Sequence, residues 1–211
     1  MNLSKPLTSL IPSLEGDVLT VLAGADYAFT GRQIHRVIGK NSQVGVSKVL
    51  IKLTAQGLVT TEPAGSSNIY RLNREHLLAK YVIGAANVRA EFYQRLGEEV
   101  ATWPLSPECV AIFGSSNRKD MTPESDVDVF ISRSPAIDFG NPAWRGQLTD
   151  FSLKVERWTG NVFQIFEVGY EDIRKELAVK DDVIYSIIEQ GVVVYGPSDY
   201  LQTLHAKADG Q

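Results

Sequence analysis

The chain has 211 residues, of which 44% are hydrophobic and 22% are charged, a composition that is ordinary for a globular protein of one large or two small domains. A single cysteine, Cys109, excludes an internal disulfide framework, and no apolar run approaches the roughly 18 residues of a membrane span. Residues 1–75 carry eight Lys and Arg against five Asp and Glu, whereas the remainder carries thirteen against twenty. We therefore expect a cytoplasmic protein without a membrane partner, in which the first of two domains meets a polyanion.

The first part of the chain predicts three short helices. Apolar residues at helical spacing indicate a helix over residues 14–23. Thr30 is a candidate N-cap for a second helix that ends at Gly39, and Ser42 is a candidate N-cap for a third that runs to about Gln56. The tight turn between the second and third helices predicts that they pack as a pair.

A β-hairpin is predicted after these helices. Residues 58–62 and 68–72 have strand-type composition and flank a turn rich in Pro, Gly and Ser. Three helices followed by a hairpin, together with the segment TGRQIHRVIGKNSQVGVSKVLIKLTAQGLVTTE, resemble the winged helix-turn-helix DNA-binding domains. We assign this domain to residues 1–74.

The resemblance implies double-stranded DNA as a partner, with the third helix in the major groove. We expect its packed face to consist of Val44, Val49, Leu50 and Leu53. The candidates for DNA contact are polar or cationic, and they are Arg32, Arg36, Lys40, Asn41, Ser42, Gln43, Ser47, Lys48 and Lys52. Two alternatives stay open: the cations only keep the helical surface hydrated, or the domain binds another protein. A weakly basic domain of this kind would need a homodimer for specific binding.

One long amphipathic helix is predicted over residues 75–102. Apolar residues recur there every three or four positions, and Trp103-Pro104 ends the pattern. The helix either acts as a rod that carries the first domain, or its wide apolar face packs against a second subunit. We place it at the start of a second domain, residues 75–211.

The most informative stretch is VAIFGSSNRKDMTPESDVDVFI, residues 110–131. An apolar strand ends at Gly114-Ser115, a turn that offers backbone N–H groups to a phosphate. After ten intervening residues, Asp126 and Asp128 alternate with hydrophobic residues, so both carboxylates are predicted to lie on one side of a second strand. Two neighbouring carboxylates repel each other unless they share a cation, and Mg²⁺ suits such oxygen ligands.

Gly114-Ser115, ten residues and Asp126-x-Asp128 resemble the signature of the polymerase-beta-type nucleotidyltransferases, in particular the small minimal members of bacteria and archaea. The resemblance implies an NTP substrate, Mg²⁺ or Mn²⁺ held by Asp126 and Asp128, and phosphates positioned by Gly114-Ser115. In the intervening loop Ser116, Arg118 and Lys119 are candidates for nucleotide contact, although exposed cations in loops also serve solubility alone.

The family places a third carboxylate on the next strand, predicted here at residues 162–168. The residue that matches this position is Gln164, which can ligate through its amide oxygen but cannot act as a base. Glu167 is the alternative, and because side chains alternate it could reach the site only if the strand slips or bulges. The substitution of an amide for the third acid puts activity in question.

The remaining pattern predicts helices over residues 143–159, 170–178 and 181–190, a strand over 191–196, and a loose helix or tail from 199. The predicted class is α+β: a winged helix-turn-helix domain followed by a nucleotidyltransferase domain with a small mixed sheet flanked by helices. Two functions compete. One is Mg-dependent transfer of NMP to an acceptor hydroxyl, and the other is a weak or inactive DNA-binding regulator that senses nucleotide. Some minimal nucleotidyltransferases are antitoxins, so a toxin is a further candidate partner.

Overall fold

The computed structural model describes residues 1–114, 121–169, 172–173 and 182–209. The chain forms two compact units, an N-terminal unit of Lys5–Arg89 and a C-terminal unit that combines Met1–Ser4 with Ala90–Gln211. The division falls at residue 89 rather than at the predicted residue 74. None of the described helices combines the length and the apolar character that crossing a bilayer requires.

The N-terminal unit consists of short helices and a three-stranded antiparallel sheet of order β1-β3-β2. Its elements in chain order are α1 (Leu7–Leu10), α2 (Leu14–Ala23), β1 (Phe29–Thr30), α3 (Gly31–Ile38), α4 (Gln43–Ala55), β2 (Val59–Ala64), β3 (Ser67–Leu72) and α5 (Ala79–Ala86). The sequence predicted neither the short α1 nor the two-residue β1. Helices α2, α3 and α4 and strands β2 and β3 match the predicted elements within about two residues.

Local capping chemistry sets the ends of α3 and α4. The Thr30 hydroxyl accepts from the Gln33 N–H at 3.2 Å, and the Gln33 side chain returns to the Thr30 N–H at 2.7 Å, which completes a capping box. Gly39 ends α3 in the left-handed conformation, with φ of 71°. Ser42 then caps α4 by accepting from the Gly45 N–H at 3.0 Å. The predicted caps are confirmed.

The packed face of α4 differs from the prediction at two positions, because Val46 is buried in place of Val44. The buried residues are Val46, Val49, Leu50 and Leu53, whereas Val44 is 65% exposed. Val46, Leu50 and Leu53 follow a helical spacing of four and three, and Val44 lies about 200° around the helix from Val46. The prediction for Val44 was therefore wrong, because the start of a short apolar run does not reveal which face is inward.

The predicted single helix over residues 75–102 is also wrong, because two helices occupy this region. The first, α5, ends at Ala86. Asn87 caps it with an N–H that donates to the carbonyls of Ile83 and Gly84, and α6 (Val88–Ala101) follows at once. Helix α5 contributes Val82 to the core of the N-terminal unit, and α6 contributes Phe92 to the core of the C-terminal unit. The two apolar faces serve separate cores, so they need not form one continuous stripe.

The C-terminal unit is a four-stranded mixed sheet of order β6-β5-β4-β7 with helices packed on it. After α6 its elements are β4 (Cys109–Phe113), β5 (Val127–Arg133), α7 (Pro142–Thr159), β6 (Phe163–Gly169), α8 (Asp182–Gln190), β7 (Val192–Tyr195) and α9 (Tyr200–Asp209). Strands β5 and β6 are parallel, and the other pairs are antiparallel. The predicted helix over 170–178 lies largely outside the described residues.

The two faces of this sheet build two apolar clusters. One contains Ile112 and Val129 of the sheet with Trp144 of α7, and the other contains Phe130 of β5 with Ile187 of α8. Alternation along β5 therefore assigns odd-numbered residues to the first cluster and even-numbered residues to the second. This assignment decides which polar side chains can meet.

Candidate functional site

The first feature of the site is the close approach of Gly114 to Asp128. Antiparallel pairing of β4 and β5 sets Phe113 opposite Asp128, so the chain leaves β4 directly beside that carboxylate. Gly114 has φ of +68°, and a Cβ built there would collide with the carboxylate of Asp128. Glycine is thus required twice, for the left-handed backbone and for the space that Asp128 occupies.

Asp126 and Gln164 lie next to Asp128. Asp126 precedes β5 by one residue, and a spacing of two in an extended chain brings both carboxylates to the same side. The parallel register of β5 and β6 pairs Asp128 with Gln164, so these side chains share a sheet face. Both carboxylates are half-buried and Gln164 is exposed. Asp128 and Gln164 are therefore adjacent on this face, and the spacing of two predicts that the Asp126 carboxylate lies beside them.

Asn161 stabilises the loop that precedes Asp126. The sequence did not predict this role. The Asn161 side chain is buried, and its Nδ2 donates to the carbonyls of Pro123 at 3.1 Å and Ser125 at 2.8 Å. Its Oδ1 accepts from the amino group of Met1 at 2.6 Å. An Asn directly after a helix-ending glycine is usually interpreted as a turn residue, so no local signal reveals this role.

Glu167 lies on the other face of the sheet, away from Asp128. Its carboxylate accepts from the Trp144 indole N–H at 2.9 Å, from Arg133 Nε at 2.9 Å and from Arg145 Nη1 at 2.5 Å. Phe139 stacks over both guanidinium groups. No bulge interrupts the register of β5 and β6 over residues 163–169, so of the two candidates on this strand only Gln164 is beside the Asp pair.

The grouped donors fit a hard divalent cation. They offer carboxylate oxygens from Asp126 and Asp128 and an amide oxygen from Gln164. Within the described ranges no group of three His, Cys, Asp or Glu side chains is arranged to hold a metal by itself. The chemistry of these oxygen donors thus fits Mg²⁺ or Mn²⁺.

Four residues predicted to contact nucleotide, Ser115, Ser116, Arg118 and Lys119, lie outside the described residues. Their assignment stays a prediction.

The residues predicted to contact DNA are mostly exposed, and they differ in their partners. Lys40 forms an ion pair with Asp17 at 3.2 Å, and Lys52 forms one with Glu15 at 2.8 Å. Hydrogen bonds from Lys52 and from the Ser13 hydroxyl lower the pKa of Glu15 to about 2. Glu15 is therefore charged at neutral pH, and it neutralises Lys52.

The other predicted contacts lie on or beside α3 and α4. Arg32, Arg36 and Lys48 are exposed, and none of them makes an ion pair within the part of the chain that the structure describes. Asn41 adopts a left-handed conformation with φ of 68°, and its carbonyl lies 3.1 Å from His35 Nε2. Gln43 is exposed, Ser47 is half-buried, and the Ser47 hydroxyl donates to the Gln43 carbonyl.

Residues 95–195 match the family model of the nucleotidyltransferase domain. The match covers a little under half of the chain, and it includes Gly114, both acids and Gln164, while the N-terminal unit lies outside it. It supports the nucleotidyltransferase part of the resemblance. No curated protein matches the sequence.

Two solved structures are similar to the chain. In each comparison the matched region covers 56% of this chain and 84% of the chain in the solved structure. One is described as the crystal structure of a toxin–antitoxin with AMP-PNP, at 14% identity and a TM-score of 0.40. The other is a mutant of the toxin–antitoxin MntA-HpeT, at 13% identity and a TM-score of 0.37.

The contact between Gly114 and Asp128 leads to a first prediction. We expect Gly114→Ala to lose about 1–2 kcal/mol of stability from the left-handed backbone. We also expect a roughly 10-fold to 100-fold loss of affinity for a Mg²⁺-bound triphosphate, because the new methyl displaces Asp128. Thermal unfolding and calorimetric titration with the four nucleoside triphosphates measure the two effects.

The matched control is Gly160→Ala. Gly160 has φ of +70°, but no atom lies within 4 Å of the position that an added methyl group would take, so this variant shares the backbone strain without the collision. Equal nucleotide affinity in the two variants would contradict a specific contact between Gly114 and Asp128.

Proposed function

We propose that the C-terminal unit is a Mg-dependent nucleotidyltransferase that transfers NMP from an NTP to an acceptor hydroxyl. One observation carries the proposal: Gly114 is packed against the Asp128 carboxylate, and the sheet register pairs Asp128 with Gln164. Asp126 is two residues before Asp128 in the chain. This arrangement lies within the segment that matches the nucleotidyltransferase domain. A triphosphate that binds beside the turn at Gly114 would be adjacent to the Asp128 carboxylate.

Each residue has a distinct part in the proposed reaction. Asp126 and Asp128 hold the metal and thereby the triphosphate, and Gly114-Ser115 positions the β- and γ-phosphates. Ser116, Arg118 and Lys119 add hydrogen bonds and positive charge to the triphosphate. When bound, Mg²⁺ neutralises the negative charge of the phosphates and polarises the reacting phosphorus.

The reaction itself is an in-line displacement. The acceptor oxygen bonds to the α-phosphorus, and the bond between the α-phosphorus and the bridging oxygen breaks. Pyrophosphate leaves with the bonding electron pair, and the hydroxyl proton passes to a carboxylate or to water. Positioning and charge neutralisation supply most of the rate in such a scheme.

Paired radiolabels test this proposal. The purified protein is incubated with Mg²⁺ or Mn²⁺, a cell lysate as the acceptor source, and each NTP labelled on either the α- or the γ-phosphorus. We expect the α-label to appear on an acceptor and the γ-label to be released as pyrophosphate. Transfer of the γ-label would indicate phosphoryl transfer, and transfer of neither label with any NTP would exclude the enzymatic proposal.

A second candidate function is that of a DNA-binding regulator. It is supported by residues 27–61, which contain five Lys and Arg and no Asp or Glu, and by an element order in the N-terminal unit that agrees with a winged helix-turn-helix. The neutral Gln164 beside the Asp pair also favours a unit that senses nucleotide without rapid transfer. A partner toxin, a homodimer and a cytoplasmic location rest on the resemblance and on composition, and they stay proposals.

Substitution of Gln164 distinguishes the two candidates. We expect Gln164→Glu to raise the transfer rate by roughly tenfold or more, because it supplies the third carboxylate as a metal ligand or base. Gln164→Met has a similar size without the amide oxygen, and it should lower the rate. The α-label assay measures both variants.

The control for added charge is Gln94→Glu, at an exposed position on α6. If neither substitution at Gln164 changes the rate relative to this control, Gln164 is not part of the reacting centre.

A further inference from the structure

The outward face of α4 is apolar at its centre. Val44 and Ile51 are each 65% exposed, and they lie on the side of α4 opposite to the buried Leu50 and Leu53. Their spacing of seven residues corresponds to two helical turns, so the side chains form a line along the helix with Lys48 between them. An exposed aliphatic pair of this kind has a cost in water that packing within the unit does not offset.

The surroundings of this line include three exposed cations, Arg32, Arg36 and Lys48. The acid-free stretch 27–61 contains the whole of α3 and α4. Exposed Arg32, Arg36 and Lys48 have no ion pair within the described part of the chain, so their charge is available to a partner. A partner that fits must therefore be anionic at the rim and offer apolar groups at the centre.

Duplex DNA has this combination of properties. Its phosphates line both edges of the major groove, which is about 12 Å wide and admits one helix. The groove floor is polar except for the C5-methyl group of thymine, which is the apolar feature that aliphatic side chains contact.

We propose that α4 recognises thymine, with Val44 and Ile51 in contact with thymine methyl groups. This inference rests on the proposed DNA binding, and it adds a base preference and the residues that determine it. Gln43 and Ser47 border the line on one side and supply polar contacts to neighbouring base edges. Arg32, Arg36 and Lys48 contact phosphates and fix the helix in the groove.

Replacement of thymine by uracil tests the proposal, because it removes the methyl group and leaves the base pairing unchanged. Affinity of the full chain is measured by fluorescence anisotropy for three 30-base-pair duplexes: alternating A·T, alternating A·U and alternating G·C. We expect the A·T duplex to bind more tightly than the A·U duplex by about fourfold for each methyl contacted. Val44→Ala with Ile51→Ala should reduce this ratio to about one and leave weaker, salt-sensitive binding to all three.

The control is Leu77→Ala, which truncates an aliphatic residue that is 86% exposed and lies outside α3 and α4. This variant should prefer the A·T duplex over the A·U duplex by the same factor as the unchanged protein. Equal affinity for A·T and A·U duplexes would overturn thymine recognition while DNA binding stands. Binding to no duplex at low salt would overturn both proposals, and an unchanged ratio in the double variant would overturn the roles of Val44 and Ile51.

Discussion

Asp126→Asn and Asp128→Asn are each expected to lower nucleotidyl transfer by about a hundredfold to a thousandfold. Asparagine keeps the size and one oxygen of the side chain, but it removes the charge that holds a divalent cation against a triphosphate. Because Asp128 lies between Gly114 and Gln164, its substitution should be the more damaging of the two. Initial rates with α-labelled NTP measure the effect.

The control for this pair is Asp150→Asn, which removes one negative charge from an exposed position on α7. Its rate should stay within about twofold of the unchanged protein, since an exposed charge acts weakly at a distance. Nucleotide affinity measured with and without Mg²⁺ adds a second readout. If the variants lose transfer but keep a metal-dependent affinity, the acids do not hold the metal.

Glu167→Ala is expected to destabilise the C-terminal unit by about 3–5 kcal/mol. The substitution leaves the guanidinium of Arg133, whose side chain is only 14% exposed, without its carboxylate and removes the acceptor for the Trp144 indole. Urea unfolding followed by tryptophan fluorescence reports this unit specifically, because Trp103, Trp144 and Trp158 all belong to it.

Glu99→Ala is the matched control, since it also removes one acid from an ion pair in the same unit. Its partner Lys154 is 41% exposed and can return to water, so the loss should be about 1 kcal/mol or less. Glu167→Gln separates stability from chemistry: it keeps the shape of the side chain, and transfer per folded molecule should be unchanged. A large loss of transfer in this stable variant would make Glu167 a functional acid after all.

Short-range sequence signals, such as helix caps and strand alternation, were sufficient to predict much of the fold. Thr30 and Ser42 begin helices because a hydroxyl can accept a backbone N–H one turn ahead, and such a signal lies within four residues of sequence. Alternation along β5 likewise set Asp128 on the face opposite to the buried Val127 and Val129. It also set Gln164 and Glu167 on opposite faces, and the continuous register of β6 confirmed that difference.

Longer-range features were not predictable in this way. The break at Asn87 depends on which of two cores each flanking helix joins, and a spacing of three and four residues cannot reveal that choice. The bonds of Asn161 to the loop at Pro123 and Ser125 join residues 36 and more positions apart. The exposure of Val44 depended on the inward face of α4, which the tertiary contacts determine.

The shared space of Gly114 and Asp128 constrains how this chain can diverge. Any side chain at position 114 meets the carboxylate first, so substitution there becomes tolerable only after position 128 has become smaller. Even then the left-handed backbone favours Asn or Asp over other residues. In homologues that lose the reaction, we therefore expect Asp128 to be substituted before Gly114. Some of these homologues should still have glycine at position 114.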